Sequence, residues 1–388
     1  MPPIPLFLSA GEASGDLYAS RLAAALKKRM DVAIFGMGGP LMRAAGVEII
    51  ADYSEVSVVG ITEVFKRLPS LLRAMRHLVD AAELRRPPLA ILTDFPGFHL
   101  RLARKLKPKG VRNVYYICPQ FWAWRPWRVN LVRRRFVEAL CIFPFEEKFY
   151  ADAGVAVKFI GHPLVGNVHP TLTRELFCEK YGLDPRKRIL TVLPGSRRGE
   201  IAHHAPVLAE ALLEIQRSLT EGLSIVVAVA PGLNRARLEA NFPTELKARF
   251  IENDTYNALA AADLAIVSSG TATVEAALLG KPMIVVYRLS PLTARLAKPL
   301  VRTKNFSMVN LIADRVVVPE LIQDEFTPRC LSDEAVKLLD GSEKGSLVRE
   351  EMAKGLAEVR RLLGQPGAVE RAAEVIVGLL QCGKATQT

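Results

Sequence analysis

The sequence predicts an α/β protein built from two Rossmann-like domains. Three observations predict it. Short apolar, β-prone runs recur along the chain, each broken by a small-residue turn and followed by a segment with helical spacing. The 388 residues exceed one ordinary core, and a prior of about 150 residues per domain gives two or three domains. The same order of strand, turn and helix appears in both halves, most clearly in TVLPGSRRGEI at residues 191–201. There the apolar run RILTVL reads as a buried parallel strand. Pro194 and Gly195 break it, Ser196 and Arg197 follow, and a helix is expected from Glu200. A strand, a small-residue turn and a helix start make an anion seat, because free backbone N–H groups and the helix dipole point at the ligand. Arg197 adds a forked donor suited to phosphate oxygens. An ordinary βα turn with a surface arginine would look the same, so the rest of the chain has to decide.

Composition narrows the classes. Hydrophobic content of 50% with 24% charged residues is that of a folded soluble protein. No apolar run approaches the roughly 18 residues of a spanning helix. The start, MPPIPLFLSAGEASGD, has no basic region and runs into a glycine turn, so it reads as a first strand rather than a signal peptide. Cys118, Cys141, Cys178, Cys330 and Cys382 are scattered and never form CxxC, which argues against a disulfide framework or zinc site and fits a reducing cytoplasm. A net charge of +12 points to an anionic partner: nucleic acid, a membrane surface or a phosphorylated substrate.

In chain order, residues 4–10 read as a strand, 11–16 (GEASGD) as a turn and 17–28 as a helix. The turn is not GxGxxG, so no dinucleotide is implied. Glu12, Ser14 and Asp16 fall where such sheets present ligands, although Asp16 could equally be a helix cap. A strand at 32–35 leads into glycines at 36–39. Residues 56–79 carry Val58, Ile61, Val64, Phe65, Leu68 and Leu72 at helical spacing among Lys66, Arg67, Arg73 and Arg76, with Pro69 expected to start a second helix. Such a segment either lies on a membrane and contacts acyl chains or forms a core face with solvated charges outside. Strand 89–93 runs into DFPGFH. Asp94, at the tip of a parallel strand, is a candidate general base, and His99 a second polar candidate. From 101 to 135 there are eleven Lys or Arg and no Asp or Glu, and all three tryptophans lie in PQFWAWRPWR. Nucleic acid or a phosphorylated lipid headgroup would suit that stretch; no RNP, KH or HTH pattern is present, so nucleic acid ranks low. Strands at 114–118, 139–143 and 157–160 complete the half, with the interdomain hinge expected at 161–170.

The second half repeats the scheme: helix 200–218, strand 224–228, helix 256–262 and strand 264–267. A second phosphate-type turn follows, with Ser269, Gly270 and Thr271 ahead of helix 272–279. Glu275 in that helix suits a carboxylate accepting hydrogen bonds from ribose hydroxyls. The two turns together indicate a seat for a nucleoside diphosphate, with Arg197 neutralising phosphate in place of a metal; no metal ligand set and no cofactor is expected. Asn310 is a further polar candidate on the same side. Residues 332–340, 346–363 and 366–381 read as helices, the last returning across the chain.

The residues AGEASGD (10–16), GITEVFKRL (60–68), TDFPGF (93–98), WAWR (122–125), FPFE (143–146), FIGHP (159–163), LPGSR (193–197) and SSGTATVE (268–275), in this order, resemble the lipid-A-disaccharide synthase family nearly end to end. The resemblance implies a GT-B fold, two Rossmann-like domains facing a central cleft, with C-terminal helices packing back on the N-terminal domain. The expected division is 1–165 for the acceptor and membrane side, 166–345 for the UDP-sugar, and 346–388 crossing back. The resemblance implies inverting transfer of 2,3-diacylglucosamine from its UDP derivative to 2,3-diacylglucosamine 1-phosphate, on the inner face of the inner membrane. Another GT-B UDP-N-acetylglucosamine transferase or an epimerase is the alternative. Carried over by position, Asp94 matches the base; Arg197 and Glu275 match nucleotide-site residues; Glu12 and Asn310 match cleft residues; and 56–79 matches a region of membrane and acyl contact. The chain departs from many members, which have Asp and Asn where it has Gly97 and His99, leaving open a role for His99 near the acceptor. Oligomeric state stays open, a homodimer included.

Overall fold

Each half of the chain folds around one parallel sheet whose central strands are buried on both faces, as their unbroken apolar runs require. The computed structural model describes residues 2–56, 61–219, 222–290, 293–295 and 305–385, and at 56, 61–68 and 383–385 no more than the backbone. The chain separates into two compact units, Met1–Pro163 with Gly364–Thr388, and Leu164–Leu363.

In unit 1, β1 (Ile4–Ala10), β2 (Val32–Gly38), β3 (Glu48–Asp52), β4 (Leu89–Thr93), β5 (Arg112–Tyr116), β6 (Glu138–Cys141) and β7 (Val157–Phe159) pair in the order β3-β2-β1-β4-β5-β6-β7. Helices α1 (Ala13–Lys27), α2 (Pro40–Ala44), α3 (Tyr53–Val56), α4 (Ile61–Arg85), α5 (Pro96–Leu106), α6 (Val129–Arg135) and α7 (Pro144–Asp152) connect them. Phe7, Leu92, Phe98, Tyr115, Phe121 and Tyr150 are central to the core. In unit 2, β8 (Arg188–Leu193), β9 (Leu223–Val229), β10 (Arg249–Glu252), β11 (Leu264–Ser268), β12 (Met283–Tyr287) and β13 (Glu320–Ile322) pair as β10-β9-β8-β11-β12-β13. Its helices are α8 (Arg174–Tyr181), α9 (Arg198–Ser218), α10 (Arg235–Glu239), α11 (Thr255–Ala261), α12 (Thr271–Leu278), α13 (Met308–Ala313), α14 (Pro328–Leu339) and α15 (Glu343–Leu362). The last helix, α16 (Ala368–Ala385), returns to unit 1.

Three boundaries differ from the sequence reading. Helix α1 begins at Ala13 rather than at 17, so GEASGD is a helix start and not a free turn. Pro69 lies inside one continuous helix, α4, instead of opening a second one; its missing N–H costs that helix one internal bond. Helix α15 belongs to unit 2 and does not cross back. It packs against α12, α13 and α14, and the Met352 sulfur accepts from Met283 N at 3.3 Å. Only the segment from Gly364 returns. Gly364, at φ +91, lets the returning chain pass Gly161, whose Cα would lie 3.2 Å from an added Cβ. Arg371 then donates to the Ile160 carbonyl at 2.8 Å, and α16 packs on α1.

Candidate active site

The strand order of each sheet reverses once, between β1 and β4 in unit 1 and between β8 and β11 in unit 2. Open α/β sheets bind ligands outside the carboxyl ends of their strands at such a switch point. Gly11 and Glu12 follow β1, and Asp94 follows β4; Gly195 to Arg197 follow β8, and Ser269 to Thr271 follow β11. The topology therefore brings the turn motifs of the sequence together in pairs, one pair per unit.

Unit 2 holds a cavity of about 630 Å³ at its switch point, lined by Gly195, Ser196, Arg197, Ser269, Gly270, Thr271 and Glu275 among others. The two turns form it in different ways. At the α9 start the expected free N–H groups are taken. Glu200 Oε2 accepts from Ser196 N at 3.0 Å and Arg197 N at 3.2 Å. Gly195 has φ +128 and stands close to that carboxylate, so a side chain there would be strained and crowded. The Arg197 guanidinium beside this turn is 59% exposed and 3.6 Å from Glu200 Oε1. At α12, Thr271 and Ala272 occupy the first turn, where N–H groups have no intrahelical acceptor. Gly270, at φ +153, opens that helix. The Ser269 hydroxyl donates to the Phe306 carbonyl at 3.0 Å, which leaves its oxygen as an acceptor. Glu275 Oε1 accepts from Tyr256 Oη at 3.1 Å, and burial raises its pKa against that bond.

Two unit 2 residues that shape this cavity escaped the sequence reading. His204, on the second turn of α9, is buried. Its Nδ1 lies 2.8 Å from the Pro194 carbonyl, and its Nε2 accepts from Arg288 N at 2.9 Å. The carbonyl can only accept, so Nδ1 carries the proton. Asn257 Oδ1 accepts from Thr171 N and Leu172 N at 2.7 and 2.9 Å, fastening the incoming chain beside the cavity. No local pattern marks either residue, since their partners are distant in sequence.

Unit 1 offers a carboxylate. Asp94 is half-buried, and burial raises its pKa to about 6, with the Glu12 charge adding to the rise and a Phe95 N–H bond opposing it. Asp94 and Phe95 both have positive φ, +47 and +48. A non-glycine residue there costs about 1–2 kcal/mol. The Phe95 ring lies over Gly11, where an added Cβ would meet Phe95 Cδ1 at 2.2 Å. Glu12 caps α1 without a side-chain bond, and Ser14 is exposed in the first turn. Nearby, Trp122 Nε1 donates to the buried Glu146 at 3.1 Å, which anchors the tryptophan-rich loop; burial pushes the Glu146 carboxyl up to about 8.

Several assignments are corrected. Asp16 is 1% exposed and does not face a ligand: its carboxylate accepts from Gly39 N, Leu41 N and Met42 N and so caps α2, not its own helix. His99 is fully buried and cannot touch an acceptor. Asn310 is fully buried too. Its Oδ1 accepts from Val317 N and Val318 N, and its Nδ2 donates to the Val318 carbonyl and Glu320, so all its polar capacity shapes the chain leading to β13. Of the hydrophobic residues assigned to acyl contact, Val58 lies outside the described residues, as do the side chains of Ile61, Val64, Phe65 and Leu68. Leu72 is 60% exposed, whereas Ala74, Met75, Leu78 and Ala82 of the same helix join the core. Among the described residues no group of three or more His, Cys, Asp or Glu side chains could hold a metal ion.

A family model described as lipid-A-disaccharide synthetase matches residues 6–368. A lipid-A-disaccharide synthase from Solibacter usitatus (strain Ellin6076) is 46% identical over 385 residues, covering 98% of each chain. Among solved structures, the UDP-GlcNAc 2-epimerase from Neisseria meningitidis bound to UDP-GlcNAc aligns with a TM-score of 0.63 at 11% identity, over 97% of this chain and 100% of the other. The calicheamicin glycosyltransferase CalG4 aligns with a TM-score of 0.56 at 18% identity, over 98% and 99%. At such identities these two likenesses speak for the GT-B fold alone.

Proposed function

Since this chain belongs to the lipid-A-disaccharide synthetase family, and is thus a glycosyltransferase of lipid A biosynthesis, we propose that it joins UDP-2,3-diacylglucosamine and 2,3-diacylglucosamine 1-phosphate into the β-1,6 disaccharide 1-phosphate and UDP. The observation that carries the reading is the pairing of the turn motifs at the two switch points. Unit 2 then supplies the donor seat and unit 1 the base. In the proposed step Asp94 takes the proton of the acceptor 6-hydroxyl as that oxygen bonds to the anomeric carbon. The bond from that carbon to the diphosphate breaks on the opposite face, which inverts the configuration. Arg197 and the α12 N-terminus stabilise the departing UDP. Glu275, already held by Tyr256, is suited to the ribose hydroxyls. Incubation with both substrates in mild detergent and EDTA is expected to yield UDP and disaccharide 1-phosphate in equal amounts by mass spectrometry. UDP without disaccharide would overturn the acceptor assignment, and EDTA inhibition would overturn the role given to Arg197.

We propose further that the protein works at the inner face of the inner membrane. Among the described residues no helix is long and apolar enough to cross a membrane. Support for surface attachment comes from the eleven basic residues between 101 and 135, and from Trp124 and Trp127, which are 38% and 62% exposed. Exposed tryptophan beside cations suits a headgroup boundary. The protein is expected to float with anionic liposomes, to detach as salt rises, and to bind less when both tryptophans become alanine. Equal flotation with neutral liposomes at all salt concentrations would refute the electrostatic part.

A further inference from the structure

We propose that His99, together with Tyr115, is a positioning residue that holds the Asp94 carboxylate in its working direction by fixing the Asp94 backbone carbonyl. The inference rests on the reading of Asp94 as the base. The turn it explains is unusual: two consecutive non-glycine residues, Asp94 and Phe95, sit at positive φ directly after β4. Such a turn persists only where its surroundings over-determine it. The surroundings are visible. Asp94 N donates to the Tyr116 carbonyl at 3.1 Å, which ties the residue to β5. The Asp94 carbonyl accepts from Tyr115 Oη at 3.0 Å and lies 2.7 Å from His99 Nδ1. Both lone-pair directions of that oxygen are thus occupied by buried side chains.

The tautomer of His99 follows from its partners. A carbonyl cannot donate, so Nδ1 carries the hydrogen, and Nε2 accepts from Ser9 Oγ at 2.8 Å. Ser9 lies in β1 and Tyr115 in β5, so the strands on either side of β4 fix the turn from both flanks. The ring also packs edge-on against Phe95 and Phe98. His99 therefore reaches the reaction only through Asp94. An asparagine places an amide N–H where Nδ1 stands and so keeps the bond to the Asp94 carbonyl while giving up the one to Ser9, whereas an apolar side chain of similar bulk keeps neither.

The test compares His99→Leu, His99→Asn and Asp94→Ala in the full-length protein. His99→Leu is expected to lower kcat by about 10- to 100-fold, the range a small misplacement of a catalytic group produces, with KM for the donor and UDP affinity unchanged. His99→Asn is expected to recover most of that loss. Wild-type kcat in His99→Leu, or His99→Asn as impaired as His99→Leu, would overturn the inference. If His99→Leu does not fold, Tyr115→Phe removes only the other bond to the same carbonyl. It is expected to lower kcat with UDP affinity unchanged, and wild-type kcat there would overturn the inference equally. Asp94→Ala separates the two levels. If it keeps wild-type kcat, the base assignment itself fails. If it is inactive while His99→Leu is fully active, only the positioning role fails.

Discussion

Replacing Asp94 by alanine is expected to lower kcat by about 10²–10⁴-fold, the usual worth of a positioned general base, while UDP affinity stays at the wild-type value. The first half follows from geometry. Asp94 stands at the tip of β4, beside the switch point of its sheet, on a turn fixed by Tyr115 and His99. The second half follows from the division of the chain, because every residue that lines the cavity proposed to seat the nucleotide lies in unit 2. The pH dependence has a definite sign. Asp94 must be ionised to accept a proton, and its pKa is raised to about 6. The kcat/KM profile of the free enzyme is therefore expected to fall as pH drops through about 6. Glu12→Gln removes one of the charges that raises Asp94, so the acid limb should move to lower pH. The same shift acts on stability. A carboxyl whose folded pKa lies above its unfolded value stabilises the fold below 3.8 and loses that contribution as pH rises through about 6. Asp94→Asn should accordingly melt no lower than wild type at neutral pH while being inactive.

Arg197→Ala is expected to weaken UDP binding by about 10- to 150-fold, corresponding to about 1.5–3 kcal/mol for hydrogen bonds to a charged group. The neighbouring turn explains why so much rests on one side chain. Glu200 already occupies the Ser196 and Arg197 N–H groups, so the α9 start keeps little backbone capacity for phosphate. The guanidinium itself is only loosely engaged, by an exposed pair at 3.6 Å. Such pairs are worth about 0–1 kcal/mol, so a diphosphate displaces this one at small cost. Because the diphosphate gains negative charge as it leaves, kcat should fall as well. An Arg197→Ala protein with wild-type UDP affinity, measured by calorimetry, would assign phosphate recognition to α12 alone.

The parts of this protein that local sequence encodes were legible. Apolar runs ending in small residues marked β1, β4, β8 and β11, and these four strands bracket both switch points. Asp94 and the turns around Gly195 and Gly270 could be found because a ligand-facing turn must sit at a strand end. What local sequence does not encode is the partner of a polar side chain. Asp16, His99 and Asn310 look alike in sequence to ligand-binding residues, yet each spends its polar atoms inside the fold, on α2, on the Asp94 turn and on the chain before β13. Glu200 carries the complementary lesson. Its position three residues beyond Arg197 is a capping-box spacing, and that spacing was the available warning that the N–H groups would be taken. Short elements such as β3, β10 and β13 were missed, since three to five residues give little periodicity to read. The long helix through Pro69 reads as two because local sequence does not distinguish a proline in the first turn of a helix from one inside it.

The most direct test of the division of labour is a UDP titration by calorimetry on wild type, Asp94→Ala and Arg197→Ala, with turnover measured on the same preparations. The expected result is that Asp94→Ala binds UDP like wild type but forms the disaccharide about 10²–10⁴-fold more slowly, whereas Arg197→Ala loses affinity. Loss of UDP binding in Asp94→Ala with binding retained in Arg197→Ala would contradict the account, because it would place the nucleotide on unit 1.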